Sequence, residues 1–136
     1  MKDATTLLGR LGLSLIFILS GVAKLGAGYA GTQGYMEAMG VPGALLPLVI
    51  AAEIGGGLAI ATGLLTRWAA LGLAAFSVAS AVLFHFDLGD QNQFIHFPKN
   101  LAMAGGFLVL AANDAGRLSL DALLASRRTA AKAGAL

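Results

Sequence analysis

Apolar residues in this chain fall in four long runs, Leu7–Leu25, Ala44–Leu65, Trp68–Phe86 and Phe94–Asn113. A helix rises about 1.5 Å per residue, so crossing a hydrocarbon layer of about 30 Å takes about 20 apolar residues. Each run has roughly that length. The pattern therefore predicts an all-α, integral membrane four-helix transmembrane bundle, with residues 1–136 forming one membrane domain. A soluble four-helix bundle would need a polar stripe on every helix. Gly55–Ala61 and Leu71–Ala75 carry none.

The segments between the runs set the predicted topology. The first run has basic residues at Lys2 and Arg10 and ends near Gly21-Val22-Ala23, which looks like a signal-peptidase site. It is longer than the core of a signal peptide, so an uncleaved first helix is expected. If the helices alternate, Lys2, Arg10, Arg67, Arg117, Arg127, Arg128 and Lys132 share one side, leaving Lys24 and Lys99 at the other. Cationic loops stay in the cytoplasm, which puts both termini there. The outward connections are then Gly26–Gly43 and Asp87–Phe97, with a tight inward turn at Thr66 and Arg67.

In the first outward connection, Tyr29, Tyr35, Met36 and Met39 predict a short interfacial helix ended by Gly40 and Pro42. Pro98 is expected in the first turn of the fourth helix, where its missing N–H costs nothing. After Gly116 the tail mixes Leu118, Leu120, Leu123 and Leu124 with charges. Two expectations stand for it: a segment lying on the inner surface, and a disordered basic tail.

Composition supports the membrane reading. The chain is 57% hydrophobic and 12% charged, and a soluble domain has about twice that charged fraction. The net charge is +2 and the nine Lys and Arg residues are scattered, so no phosphate-binding patch for nucleic acid exists. Cysteine is absent, which excludes disulfides, iron–sulfur clusters, thiolate zinc sites and thiol relays carried by this chain. No covalently bound cofactor is expected.

Ala51, Gly55, Ala59 and Gly63 recur every four residues and form a strip that a neighbouring backbone can approach closely. Gly105 with Gly106, and Ala75 with Ala79, are expected to supply facing surfaces, either within one bundle or between copies in a homo-oligomer. Arg10-Leu11-Gly12-Leu13 is echoed by Arg67 followed by Leu71-Gly72-Leu73, a faint sign of a two-helix repeat.

The candidate chemistry lies in polar residues that hydrocarbon should exclude. Glu53 falls about nine residues into the second run, about 13 Å below its outer boundary. A short carboxylate there needs a proton or a partner. Ser20 and Lys24 near the end of the first run, His85 near the end of the third, and Lys99 and Asn100 opening the fourth lie at a similar depth. These groups predict an outward-opening cavity containing one acid, two ammonium groups, an imidazole and an amide, with Ser20 at the level of Glu53. Glu53 paired with Lys24 or Lys99 purely to hold the bundle together is the structural alternative.

A metal site from His85, His96 and Asp87 has no motif spacing behind it, and two-histidine haem ligation lacks evidence of facing helices. No metal is expected. Catalytic serine, phosphate-loop and dinucleotide patterns are missing, and Gly55-Gly56-Gly57 lies inside an apolar run, as packing glycines do.

Arg10-Leu11-Gly12, Phe17-Ile18-Leu19-Ser20-Gly21 and Lys24-Leu25 resemble the opening of DoxX family membrane proteins. Glu53-Ile54-Gly55-Gly56-Gly57 with Gly63 and Arg67, Phe84-His85, and Lys99-Asn100 with Gly105-Gly106 are similar to that family's later blocks. The likeness covers about Leu7 to Leu120. It implies a four-helix protein of the bacterial cytoplasmic membrane, related to a subunit of a quinone-linked oxidoreductase and to proteins of thiosulfate, quinone and oxidative-stress chemistry.

The leading functional expectation is a quinone- or small-lipophile-binding component of a membrane redox or detoxification system, with other redox-enzyme subunits as partners. Glu53 would accept a proton or anchor the ligand, Lys24 and Lys99 would contact oxygen atoms, and Ser20, His85 and Asn100 would add hydrogen bonds. A non-catalytic membrane scaffold and a small-solute transporter are the alternatives.

Overall fold

The structure is a computed structural model, and it describes residues 1–134. Ala135 and Leu136, the end of the predicted tail, lie outside the described residues. The described chain folds as α1 (Lys2–Ala23), α2 (Gly28–Ala38), α3 (Leu46–Thr62), α4 (Thr66–Phe84), α5 (Gln91–Ala112) and α6 (Leu120–Ala133), with a 3-10 turn at Gly43–Leu45 before α3. Four helical segments, Lys2–Ala23, Gly43–Thr62, Thr66–Phe84 and Gln91–Ala112, are long and apolar enough to cross a membrane. Their outward faces carry Leu8, Leu15, Leu19, Leu48, Leu58, Val78, Val82, Leu108 and Val109, all exposed. Apolar cover on that scale suits lipid and not water.

The bundle pairs α1 with α3 and α4 with α5, and α3 packs on α4. Its core joins Phe17, Ile60, Leu73, Ala74, Ala104 and Phe107. Phe17 meets Phe107 edge-on at a centroid distance of 5.4 Å and Phe76 at 6.0 Å. A smaller outer cluster of Met36, Leu46 and Ile50, with Tyr29 and Phe84 packed against it, seats α2 on the bundle. A short helix is therefore present where one was predicted, although Met36 points inward and is buried.

The expected packing strip is only partly used within the bundle: Gly63 is buried and Ala59 half-buried. Ala51 and Gly55 are exposed, and a Cβ at Gly55 would meet nothing within 4 Å. The face that α3 buries runs through Ile50, Glu53, Gly57 and Ile60. At Gly57 a Cβ would fall 2.7 Å from Ile18 Cγ1 and 3.3 Å from the Ser14 carbonyl oxygen, so glycine is what lets α1 approach. Ala75, Ala79 and Gly105 are likewise exposed, while Gly106 faces Leu13 as expected of a packing glycine.

The fourth spanning helix starts earlier than its apolar run. The Asp90 side chain accepts from the Gln93 amide at 3.0 Å and caps α5, which reduces the second outward connection to residues 85–90 and makes His96 and Phe97 helical. Pro98 consequently lies inside α5 and not in its first turn. Its ring removes the amide that would bond the Phe94 carbonyl.

The C-terminal segment is fastened to the end of the bundle that carries the α3–α4 turn. Arg10 is 1% exposed and donates through Nη2 to the Leu118 carbonyl. Asp121 accepts from the Leu65 and Thr66 amides at 2.8 and 2.9 Å, holding Leu65 at a left-handed φ of 48°. The Asp121 amide donates to the Gly63 carbonyl at 2.9 Å, and the Arg117 amide donates to Asp3 Oδ1 at 2.8 Å. Gly63 has a φ of 70°, and a Cβ there would overlap the Arg10 guanidinium. The tail is thus neither disordered nor loosely attached where it leaves the bundle.

Candidate functional site

Glu53 lies on the buried face of α3, opposite the close approach of α1 at Gly21, where a Cβ would stand 3.2 Å from Glu53 Cβ. That approach brings the last turn of α1 onto the carboxylate. Lys24 Nζ donates to Glu53 Oε2 at 2.8 Å and to Oε1 at 3.0 Å. Ser20 Oγ donates to Oε1 at 3.2 Å. Lys24 also donates to Ser20 Oγ at 2.6 Å and to the Ser20 carbonyl at 3.2 Å. The pair is largely withdrawn from the surface, with side-chain exposures of 6% for Glu53 and 19% for Lys24.

A second polar group stands on α4 and α5. Lys99 Nζ donates to His96 Nδ1 at 2.8 Å, which leaves the proton of a neutral His96 ring on Nε2. His85 Nδ1 contacts Gln93 Oε1 at 2.6 Å, so Nδ1 carries the proton and Nε2 is the free acceptor of a neutral ring. The imidazoles of His85 and His96 stack at a centroid distance of 5.0 Å. Lys99 therefore pairs with His96, and Glu53 takes Lys24.

Between the two groups lies a cavity of about 510 Å³. Ser20, Lys24, Glu53, His85, Lys99 and Asn100 all line it, so the sequence-predicted site residues share one space. Its apolar walls include Phe17, Val49, Phe76 and Met103, and Thr32, Tyr35 and Met36 of α2 close its outer side. Tyr35 is held there by stacking on Phe84 at 5.7 Å and by donating to the Phe84 carbonyl at 3.3 Å. Ile16, Leu83 and Lys99 line the cavity yet remain exposed, so it reaches the outer surface of the bundle. Asn100 is buried at its wall.

Sequence reasoning missed the contact of His96 with Lys99, although their three-residue spacing inside the fourth run places them on one helical face. Among the described residues no group of three or more His, Cys, Asp or Glu side chains is placed to hold a metal. The cavity offers instead an apolar slot with hydrogen-bonding groups on opposite sides, the usual make-up of a small-molecule site.

Comparison with known proteins agrees with this architecture. The DoxX family model matches residues 5–86. Inner membrane protein YqjF of Escherichia coli (strain K12) is 49% identical over 124 residues, covering 91% of this chain and 95% of that protein. Inner membrane protein YphA of the same organism is 36% identical over 127 residues, covering 88% of this chain and 90% of its own. No solved structure matches.

Proposed function

The chain belongs to the DoxX family of membrane proteins, and we propose that its cavity binds a quinone or a similar small lipophile for an inner-membrane redox or oxidative-stress system. The observation that carries this reading is the meeting of an apolar slot with two separated polar groups in one cavity of about 510 Å³. An apolar ring gains from contact with Phe17, Phe76 and Met103. Oxygen atoms at its edge find donors at Lys99, Asn100 and the Nε2–H of His96. Glu53, held by Lys24 and Ser20, stands where it can exchange a proton with a bound hydroxyl. The chain has no cysteine, so electrons would arrive through the bound molecule or a partner subunit.

The cavity lies in the outer half of the bundle, and both termini are cytoplasmic. This orientation rests on the cations at the opposite end, where Lys2, Arg67, Arg117, Arg127, Arg128 and Lys132 gather. Surface openings at Ile16 and Leu83 give a lipophile a route from the bilayer itself.

Mass spectrometry of lipophiles retained through purification in mild detergent tests the reading, followed by titration with a short-chain quinone. Lys99→Met should weaken quinone binding by about tenfold, the value of one charge-assisted hydrogen bond. Unchanged affinity in that variant and in Glu53→Gln would refute the site. The mutual satisfaction of Glu53 and Lys24 favours one rival, a membrane scaffold in which the pair only braces α1 against α3. That rival predicts that both variants lose stability or nothing, and that no lipophile is retained.

A further inference from the structure

Helix α6 is the one helix with no buried residue among those described. Its first turn is fixed to the inner end of the bundle through Asp121 and its Ser119 cap, whose Oγ accepts from the Ala122 amide at 3.2 Å. Along its length it carries an uncovered leucine stripe. Leu120, Leu123 and Leu124 are 38%, 45% and 43% exposed, and Leu118 just before them is 54% exposed. At about 100° per residue the three helical leucines fall within an arc of about 100°. Arg127 projects through the same arc, Arg128 flanks it beyond Leu124, Lys132 and Ser126 lie further round on either side, and Thr129 occupies the far side.

We infer that α6 is an interfacial helix that docks on the anionic headgroups of the bilayer leaflet opposite the cavity. Three observations select a lipid surface as its occupant. The helix is fastened to Gly63, Leu65 and Thr66, at the ends of two spanning helices, so it begins at the level of the membrane surface. The stripe joins leucines to long basic side chains, whose stems lie along apolar surface while their charges reach phosphate. After Asp121 the helix contains Arg127, Arg128 and Lys132 and no acid, a charge complement to acidic lipid. The tether adds to the affinity, because a helix already held at the interface docks without the cost of bringing it there.

The chain has no native cysteine, so single spin labels report cleanly. The full-length protein carrying Leu123→Cys or Thr129→Cys would be labelled and placed in nanodiscs of phosphatidylcholine alone or with phosphatidylglycerol. With the acidic lipid, the label at 123 should become accessible to oxygen and protected from a water-soluble nickel chelate. The label at 129 should stay in water. Replacing Arg127, Arg128 and Lys132 by Gln should reduce the docked-to-free ratio by about fivefold per cation, and high salt should act similarly. Equal water exposure at 123 and 129 in acidic nanodiscs would overturn the inference. So would dipolar broadening between two labelled copies with no dependence on lipid charge, which would make a second chain the occupant. Circular dichroism and retention of detergent-solubilised monomer for the Gln variant separate loss of docking from loss of fold.

Discussion

Glu53 and Lys24 meet at 2.8 Å across two helices, and Ser20 bonds both members of the pair. The carboxylate is on α3 and the ammonium ends α1, so the interaction bridges the contact between those two helices. A buried pair contributes little net stability when intact, but removing one member strands the other. Lys24→Met should therefore lower stability by about 2–3 kcal/mol, near the lower end for buried pairs because Lys24 keeps some exposure. Lys24→Met combined with Glu53→Leu should recover most of that loss while removing the carboxyl proposed to exchange a proton. Thermal unfolding in detergent of the two single variants and the double variant measures the coupling. Independent, additive losses would show that the pair is not energetically closed.

Asn100 separates ligand recognition from structure. It is 7% exposed at the cavity wall, and a leucine of similar size removes its amide without opening a void. Asn100→Leu should reduce short-chain quinone affinity by about tenfold and leave unfolding of the ligand-free protein within about 1 kcal/mol of the parent. A large stability loss with unaltered affinity would assign the amide to the bundle instead of the ligand.

The cavity was more legible in the sequence than the packing was. Glu53 stood out because hydrocarbon penalises a carboxylate, and counting residues from the run ends brought Ser20, Lys24, His85, Lys99 and Asn100 to its level. Those residues do share a cavity. Partner choice was not legible, since Lys24 and Lys99 were equivalent by depth and a hydrogen bond between Lys99 and His96 is a side-chain choice that depth does not encode. Nor was the packing face of α3. Lipid-facing and protein-facing sides of a spanning helix are both apolar, so Ala51 and Gly55 looked no different from Gly57. The burial of Arg10 was hidden for a related reason: near a helix end a basic residue reads as a topological signal, and its carbonyl partner at Leu118 is remote in sequence.

The contrast between two nearby glycines tests the helix interface. A Cβ at Gly57 would lie 2.7 Å from Ile18 Cγ1 and 3.3 Å from backbone atoms of Ile18 and Ser14, whereas at Gly55 it would enter open space. Gly57→Val should cost about 1–3 kcal/mol by forcing α1 away from α3, and Gly55→Val should be nearly neutral. Because Glu53 is one helical turn from Gly57, the separation should also disturb its bond to Lys24, so quinone affinity should fall together with stability. Comparable behaviour of the two valine variants in thermal unfolding would mean that α1 and α3 do not meet as described.

Acid should release the C-terminal fastening. Burial alone would raise the Asp121 carboxyl above its ordinary value, but the Thr66 and Leu65 amides and the nearby Arg10 guanidinium outweigh it and hold the group below that value. A carboxyl depressed on folding contributes its stabilisation fully above the unfolded value, near pH 4, and loses it as pH falls through the lower folded value. The fastening should therefore be intact at neutral pH and weaken only in strongly acidic solution. A spin label at Leu118→Cys, beside the carbonyl that Arg10 holds, should remain ordered down to about pH 4 and gain mobility below it. Asp121→Asn should start more mobile and show no comparable step, since the amide cannot titrate and can accept only one of the two amide bonds well. A step of the same size in Asp121→Asn would assign the release to another group.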